Sequence, residues 1–346
     1  MASSTHELKR AKLWSSEREG RTRCFLCHHR CLIHGGKRGV CGVRENRDGT
    51  LYSLNYGRLI SANVDPIEKK PLFHFHPSTP SLSIATVGCN LRCLNCQNAT
   101  ISQWPREHPG KPLPGDDIPA REIVEMALSR RCATVAYTYT EPTIFIEYAK
   151  DVASGATSAG LKNVFVTNGY MTQEALDFMG DDLHAANVDL KSADEAVMRR
   201  LTGAHAQPVL HNIRDLHQRG VWVEVTTLVI PGQNDTKGAL QDIARFLSEL
   251  DPNIPWHVSR FHPSYKLTGT RPTPPKSMKL AYEVGRESGL RYVYTGNVWG
   301  DSGESTRCPE CGTVVISRYG FTVQEMALKE GRCNHCKTPI AGRGLP

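Results

Sequence analysis

From residue 81 the chain alternates between two patterns of apolar and polar positions. Short apolar runs rich in β-branched residues fall at 81–87 (S-L-S-I-A-T-V), 133–139 (A-T-V-A-Y-T-Y), 163–168 (N-V-F-V-T-N), 186–191 (A-N-V-D-L-K), 221–230 (V-W-V-E-V-T-T-L-V-I), 256–261 (W-H-V-S-R-F) and 291–295 (R-Y-V-Y-T). Continuous apolar runs of this length read as strands buried on both faces. Residues 118–130 and 239–250 instead carry apolar side chains at three- and four-residue spacing, as a helix with one buried face does. Residues 144–159, 173–179, 209–218 and 276–287 fill the other gaps. Strands alternating with helices imply right-handed βαβ units and a parallel sheet. The expected fold class is α/β, a partial (β/α)6-type TIM-like barrel. An open doubly wound sheet is the alternative, and periodicity alone does not separate the two.

Outside this region the pattern changes. Residues 1–20 are polar and read as a short helix or a disordered lead-in. Residues 50–62 alternate as a hairpin would. The expected domains are a lead-in (1–20), a four-cysteine module with its hairpin (21–75), the barrel (76–298) and a small C-terminal domain (299–346). His74 and His76 form an H-x-H pair that would share one face of a strand, packed beside a substrate cavity, with metal binding as the alternative.

The polar residues of the barrel region gather where strands end. Cys89 follows the first run, Tyr139-Thr140-Glu141-Pro142 closes the second, and Thr167-Asn168-Gly169 closes the third. Asp189 and Lys191 end the fourth, Pro231-Gly232 the fifth, His262 the sixth and Thr295-Gly296-Asn297 the last. Strand C-termini are where barrels and open α/β sheets build their sites.

Cysteine usage adds chemistry. Eleven of the twelve cysteines are clustered. Cys89, Cys93 and Cys96 lie in one short loop, G-C-N-L-R-C-L-N-C-Q-N, without a fourth partner. Thiolates select zinc, copper(I) or iron–sulfur clusters, and an incomplete set leaves a coordination position open. The trio reads as a cubane cluster with one free iron; a zinc loop with a distant fourth ligand is the alternative. Cys24, Cys27, Cys31 and Cys41 make a compact four-thiol module for zinc or a second iron–sulfur cluster, with His28, His29 and His34 available as substitute ligands. Cys308, Cys311, Cys333 and Cys336 form two CxxC knuckles, the spacing of a zinc ribbon. Cys132 stands alone at the start of a buried strand and reads as an inert core thiol.

Length and composition exclude little. The 346 residues are 39% hydrophobic and 22% charged, as expected of a soluble globular chain. No apolar run reaches a membrane span, the N-terminus lacks a signal-peptide core, and a cytoplasmic location is expected. The net charge of +7 counts every thiol as neutral. Metal loading deprotonates them and leaves the chain near about +2, so its basicity argues weakly for nucleic acid.

These motifs carry a resemblance. Cys89-x3-Cys93-x2-Cys96 resembles the motif of radical S-adenosylmethionine (SAM) enzymes, in the branch of pyruvate formate-lyase activating enzymes. Nearly the whole chain is similar to the radical SAM enzyme of the AmmeMemoRadiSam system. The stretches that carry this are C-F-L-C-H-H-R-C, G-V-C-G-V-R-E-N, D-P-I-E-K-K-P-L-F-H-F, the cysteine loop, T-Y-T-E-P-T-I-F, T-N-G-Y, N-V-D-L-K-S and the terminal CxxC pair. The resemblance implies a radical SAM barrel with a [4Fe–4S] cluster on Cys89, Cys93 and Cys96, whose open iron chelates SAM. It implies SAM contacts from Asn95, Gln97, Thr140, Glu141, Pro142, Thr167, Asn168, Asp189, Lys191 and His262, with Glu141 and its backbone receiving the SAM ammonium. Asn95 stands where the wider superfamily has an aromatic residue, and Tyr139-Thr140 replace its Gly-Gly. The implied activity is that of an activating-enzyme-like oxidoreductase: reductive cleavage of SAM to a 5′-deoxyadenosyl radical that takes hydrogen from a substrate. The implied partners are an AMMECR-like or MEMO-like protein substrate and a flavodoxin or ferredoxin as electron donor, without membrane. The rival reading is a zinc-scaffolded, non-enzymatic module that binds RNA or protein, though no RRM- or KH-like signature accompanies it.

Overall fold

The computed structural model describes residues 8–298 and 302–346; the parts of the expected lead-in and C-terminal domain at 1–7 and 299–301 lie outside the described residues. Seven parallel strands form the centre: Pro80–Thr86, Thr134–Tyr137, Lys162–Thr167, Ala185–Asp189, Trp222–Val229, Trp256–Arg260 and Val293–Gly296, side by side in chain order. Val135, Ala136, Val164, Phe165, Ala185 and Val225 are wholly buried, as strands covered on both faces require. Strand order resolves what periodicity left open. A doubly wound sheet reverses its order at a switch point, and these parallel strands do not. Right-handed crossovers then place every connecting helix on one face, and the sheet curls about the other as a barrel does. The ring is open. Val293–Gly296 is one edge; at the other, Pro80–Thr86 pairs antiparallel with Arg58–Pro66, which pairs with Asp116–Asp117.

The crossovers contain the helices Ala120–Ser129, Ile146–Ser158, Gln173–Met179, Ala206–Gln218, Lys237–Leu250 and Pro275–Glu287. Thr172 and Thr236 cap two of them, accepting from the amides of Ala175 (3.2 Å) and Ala239 (3.3 Å). A further helix, Glu195–Thr202, was not expected. It is bounded by Asp194, which accepts from Val197 N (2.8 Å), and by Gly203 at φ 79°. Two turns between a strand and another helix are too few for a period to stand out.

Two expectations for the N-terminal region are corrected. Residues 50–62 do not form one hairpin: Thr50–Ser53 pairs with Arg44–Arg47 and Lys9–Arg10, whereas Arg58–Pro66 joins the main sheet. The buried Asn55 separates the halves by donating to Thr86 Oγ1 (2.8 Å), which pins this point of the chain to the first parallel strand. The described part of the lead-in, residues 8–20, holds short paired strands and one short 3-10 turn at Arg18–Gly20. Lys9–Arg10 pairs with the small sheet, and Trp14–Ser16 pairs with Thr22–Cys24, which pairs with Leu32–Ile33. Polar residues suffice there because strand pairing satisfies the backbone.

At the C-terminus, Thr306–Arg307, Val314–Tyr319 and Thr322–Met326 form an antiparallel sheet, followed by the pair Leu328–Lys329 and Arg332–Cys333. This domain packs Val315, Ile316 and Ile340 against Phe73, Tyr292 and Tyr294 of the barrel. His74 fastens the junction. Its Nδ1–H donates to Ala341 O (2.6 Å), and its Nε2 accepts from the Tyr294 hydroxyl (2.5 Å). His74 and His76 therefore do not share a strand face beside a substrate cavity; residue 76 turns to φ 46° and the two rings part. Among the described residues no helix is long and apolar enough to cross a membrane.

Candidate active site

The cysteine loop begins at Gly88, where φ is +103° and an added Cβ would stand 2.8 Å from Val43 Cγ1 and 3.1 Å from the Cys41 carbonyl. Only glycine fits both the angle and the space. The loop is held from outside rather than by its own structure. Arg92 N donates to Thr202 O (2.8 Å), Leu94 N to Leu201 O (2.9 Å), and Lys266 N to Leu94 O (2.9 Å). Ser264 Oγ donates to Asn95 O (2.9 Å), and Arg106 donates to Leu91 O (2.7 Å) and Cys89 O (3.0 Å). Cys89, Cys93 and Cys96 are each partly buried. Cys89 Sγ accepts from Leu91 N (3.4 Å) and lies 3.8 Å from Asn168 Nδ2, and Cys96 Sγ lies 3.2 Å from Ser102 Oγ.

Around the loop stand most of the residues singled out from the strand ends. Asn168 also donates to Asn90 Oδ1 (2.8 Å), which ties the third strand end to the residue after Cys89. Asp189 and Lys191 form an ion pair (2.9 Å) in which the lysine head is largely buried. Burial pulls the Lys191 ammonium down, but Asp189 and the adjacent Cys93 more than offset it and hold its pKa above the usual value. A fixed cation thus faces the cysteine loop. Thr140 Oγ1 donates to Thr86 O (2.8 Å), stitching the second strand end to the first, and Pro142 is buried at the start of the turn Pro142–Phe145.

Glu141 is tied to the strand ends on either side of it. It is fully buried, and its carboxylate accepts from Thr143 N (3.1 Å), Thr143 Oγ1, Thr167 Oγ1 (2.7 Å) and Asn168 N (2.8 Å). Burial pushes its pKa up while these donors restrain the rise. Thr143 and Thr167 donate to Oε1 and Asn168 N to Oε2, so the carboxylate positions Thr143, Thr167 and Asn168. Tyr139, in place of a glycine, takes φ +63°; its hydroxyl bonds to Asp65 and its ring lies 4.6 Å from Lys70 Nζ. These contacts offset the cost of a left-handed conformation at a residue with a Cβ. Gln97 and His262 are exposed, His262 on the loop whose Ser264 touches Asn95.

Two buried amide atoms of the loop, Asn95 Oδ1 and Asn90 Nδ2, have no protein partner. Leaving such atoms unsatisfied costs about 1–3 kcal/mol each. One is an acceptor and the other a donor, and together with three converging thiols they fit a bound group with polar edges. The donor set therefore suits an iron–sulfur cluster carrying a polar ligand such as SAM. Arg106, Ser102 and Asn90 were not found from the sequence, and His29, read there as a substitute metal ligand, donates its Nε2–H to Asn90 O (2.8 Å). Arg106 acts on carbonyls, and no spacing rule marks a side chain that serves backbone atoms.

A profile of the radical SAM superfamily matches residues 83–247. An uncharacterized protein of Methanocaldococcus jannaschii, MJ0808, is 41% identical over 336 residues, covering 96% of this chain and 99% of its own. The isethionate sulfite-lyase activating enzyme of Oleidesulfovibrio alaskensis is 31% identical over 96 residues, 26% of this chain and 31% of its own. Among solved structures, a domain of a pyruvate-formate lyase-activating enzyme from Bacteroides vulgatus superposes with a TM-score of 0.43 at 19% identity, covering 48% of this chain and 99% of that domain.

Proposed function

Because the chain belongs to the radical SAM superfamily, we propose that it is an enzyme that takes a hydrogen atom from a partner protein, in the manner of an activating enzyme. Bound together at the cysteine loop, a [4Fe–4S] cluster and SAM supply, on one-electron reduction, a 5′-deoxyadenosyl radical able to attack a C–H bond. Cys89, Cys93 and Cys96 would hold the cluster as thiolates. Asn168 places an amide against Cys89, Glu141 fixes Asn168 from behind, and Lys191 sets a positive charge beside Cys93. Asn95 and Asn90 offer an acceptor and a donor to the polar edges of SAM. The packed loop and the N-terminal module keep water from the radical, which is the protein's main task in such chemistry.

The observation that supports this reading most is the meeting of the incomplete thiol set with Asn168 and the Asp189–Lys191 pair at one end of the sheet. The likeness to the AmmeMemoRadiSam enzyme favours an AMMECR-like or MEMO-like protein substrate, with a flavodoxin or ferredoxin as electron donor. The C-terminal Cys308, Cys311, Cys333 and Cys336, all within 4.8 Å of one another, suit a single tetrahedral zinc ion that supports the fold. The test is to incubate the reduced holoenzyme and SAM with deuterated candidate proteins. Deuterium in 5′-deoxyadenosine identifies the hydrogen donor, and its absence with every candidate rejects those candidates.

A further inference from the structure

Cys24, Cys27, Cys31 and Cys41 have no part in the reading above. We propose that they hold a [4Fe–4S] cluster of their own rather than a zinc ion, placed directly against the loop that carries Cys89. The proposal rests on the reading of that loop as the SAM-cluster site.

The first argument is spacing. Tetrahedral zinc with Zn–S bonds of about 2.3 Å draws its four sulfurs close together. The C-terminal set has that form: its four sulfurs lie within 4.8 Å of one another, Cys308 and Cys336 at 3.4 Å and Cys311 and Cys333 at 3.8 Å. Among the described residues the N-terminal four are not gathered in this way, and neither is the Cys89 trio. A cubane takes one thiolate at each iron and so holds its ligands farther apart than one ion does. The N-terminal set therefore shares the spread of the trio, not the tightness of the zinc-like knuckles. The second argument is the space between the thiols. A void lined by all four cysteines is walled by Leu26, Ile33, Val40 and Ile144, an apolar shell of the kind that governs cluster potential. The buried Arg44 reaches it, with Nη1 3.8 Å from Cys24 Sγ.

The third argument is location. The Cys41 carbonyl lies 3.1 Å from where a Cβ on Gly88 would stand, one residue before Cys89. Arg106 donates to both Val40 O (2.8 Å) and Cys89 O (3.0 Å), so one guanidinium clamps the neighbour of one ligand to the backbone of another. His29, between Cys27 and Cys31, donates to Asn90 O (2.8 Å). An iron–sulfur group here is a one-electron site next to an electron-consuming loop, whereas zinc carries no redox chemistry.

The test is metal and sulfide analysis of the full chain after anaerobic reconstitution with iron and sulfide. The expected result is about eight irons, an equal amount of acid-labile sulfide and one zinc per chain. The Cys89/Cys93/Cys96→Ala triple variant should keep about four irons and show the electron paramagnetic resonance of a reduced cluster. Four irons with two zinc ions in the unaltered chain, and a triple variant free of sulfide, would overturn the proposal while leaving the SAM reading intact. Iron and sulfide kept by the triple variant of a chain that never cleaves SAM would uphold the N-terminal cluster and sink the SAM reading instead.

Discussion

Asn168 and Glu141 show how a site residue can act through another. Asn168 touches Cys89 and Asn90, and Glu141 holds Asn168 and Thr167. Asn168→Ala should keep the iron content but slow 5′-deoxyadenosine formation about 10–100-fold, the usual effect of losing a group that orients a metal site. Glu141→Gln presents an NH2 to donors and should lower stability by about 1–3 kcal/mol, measured by denaturant unfolding, with a smaller effect on iron content. The importance of Glu141 was legible in T-Y-T-E-P; its orientation was not. Which donors fold back onto a carboxylate depends on the third strand end, 26 residues away. Asn95 stands where the resemblance implies an aromatic residue, and its unpartnered Oδ1 gives that difference a polar purpose.

At the scale of elements, the parallel strands were legible because each is an apolar run bounded by polar residues. Glu195–Thr202 and the short N-terminal strands were not, since pairing and caps rather than periodicity define them. The N-terminal module is joined to helix Ile146–Ser158 by a buried ion pair between Arg44 and Glu147, whose carboxylate also accepts from Lys12 N (2.7 Å). Arg44→Ala strands a buried charge and should cost about 3–5 kcal/mol, while Arg44→Met with Glu147→Met should cost less than either single change. Unfolding free energies in a double-mutant cycle check this. The C-terminal junction should be acid-labile. Burial pushes the His74 imidazole down to about 4, below its ordinary 6.5. Between those values the unfolded chain binds a proton that the folded chain refuses, so stability falls as pH drops through that window, by about 3 kcal/mol. Glu224 acts in the same sense. Its carboxylate accepts from Phe73 N, His74 N, Trp222 and His257, and it is held below its usual pKa against the effect of burial. Arg318 donates to Phe73 O (2.7 Å) at the same junction. Unfolding measured from pH 7 to 4 should show the loss, and His74→Gln should flatten it.

For the whole molecule, strand order makes the sheet a partial barrel, and that order brings the cysteine loop, Asn168 and the Asp189–Lys191 pair to one end. The sequence made this end visible because chemistry-bearing residues follow strand after strand. It did not show that the N-terminal module sits on the cysteine loop, a contact made by Arg106, His29 and the Cys41 carbonyl across more than forty residues. Nor did it show that His74 belongs to the C-terminal junction, because its partners, Tyr294 and Ala341, lie over two hundred residues away. The most direct test of the account is anaerobic incubation of the reconstituted full chain with SAM and dithionite. The unaltered protein should yield 5′-deoxyadenosine and methionine, and the Cys89/Cys93/Cys96→Ala variant neither. A chain that carries iron on these three cysteines yet leaves SAM intact would contradict this reading.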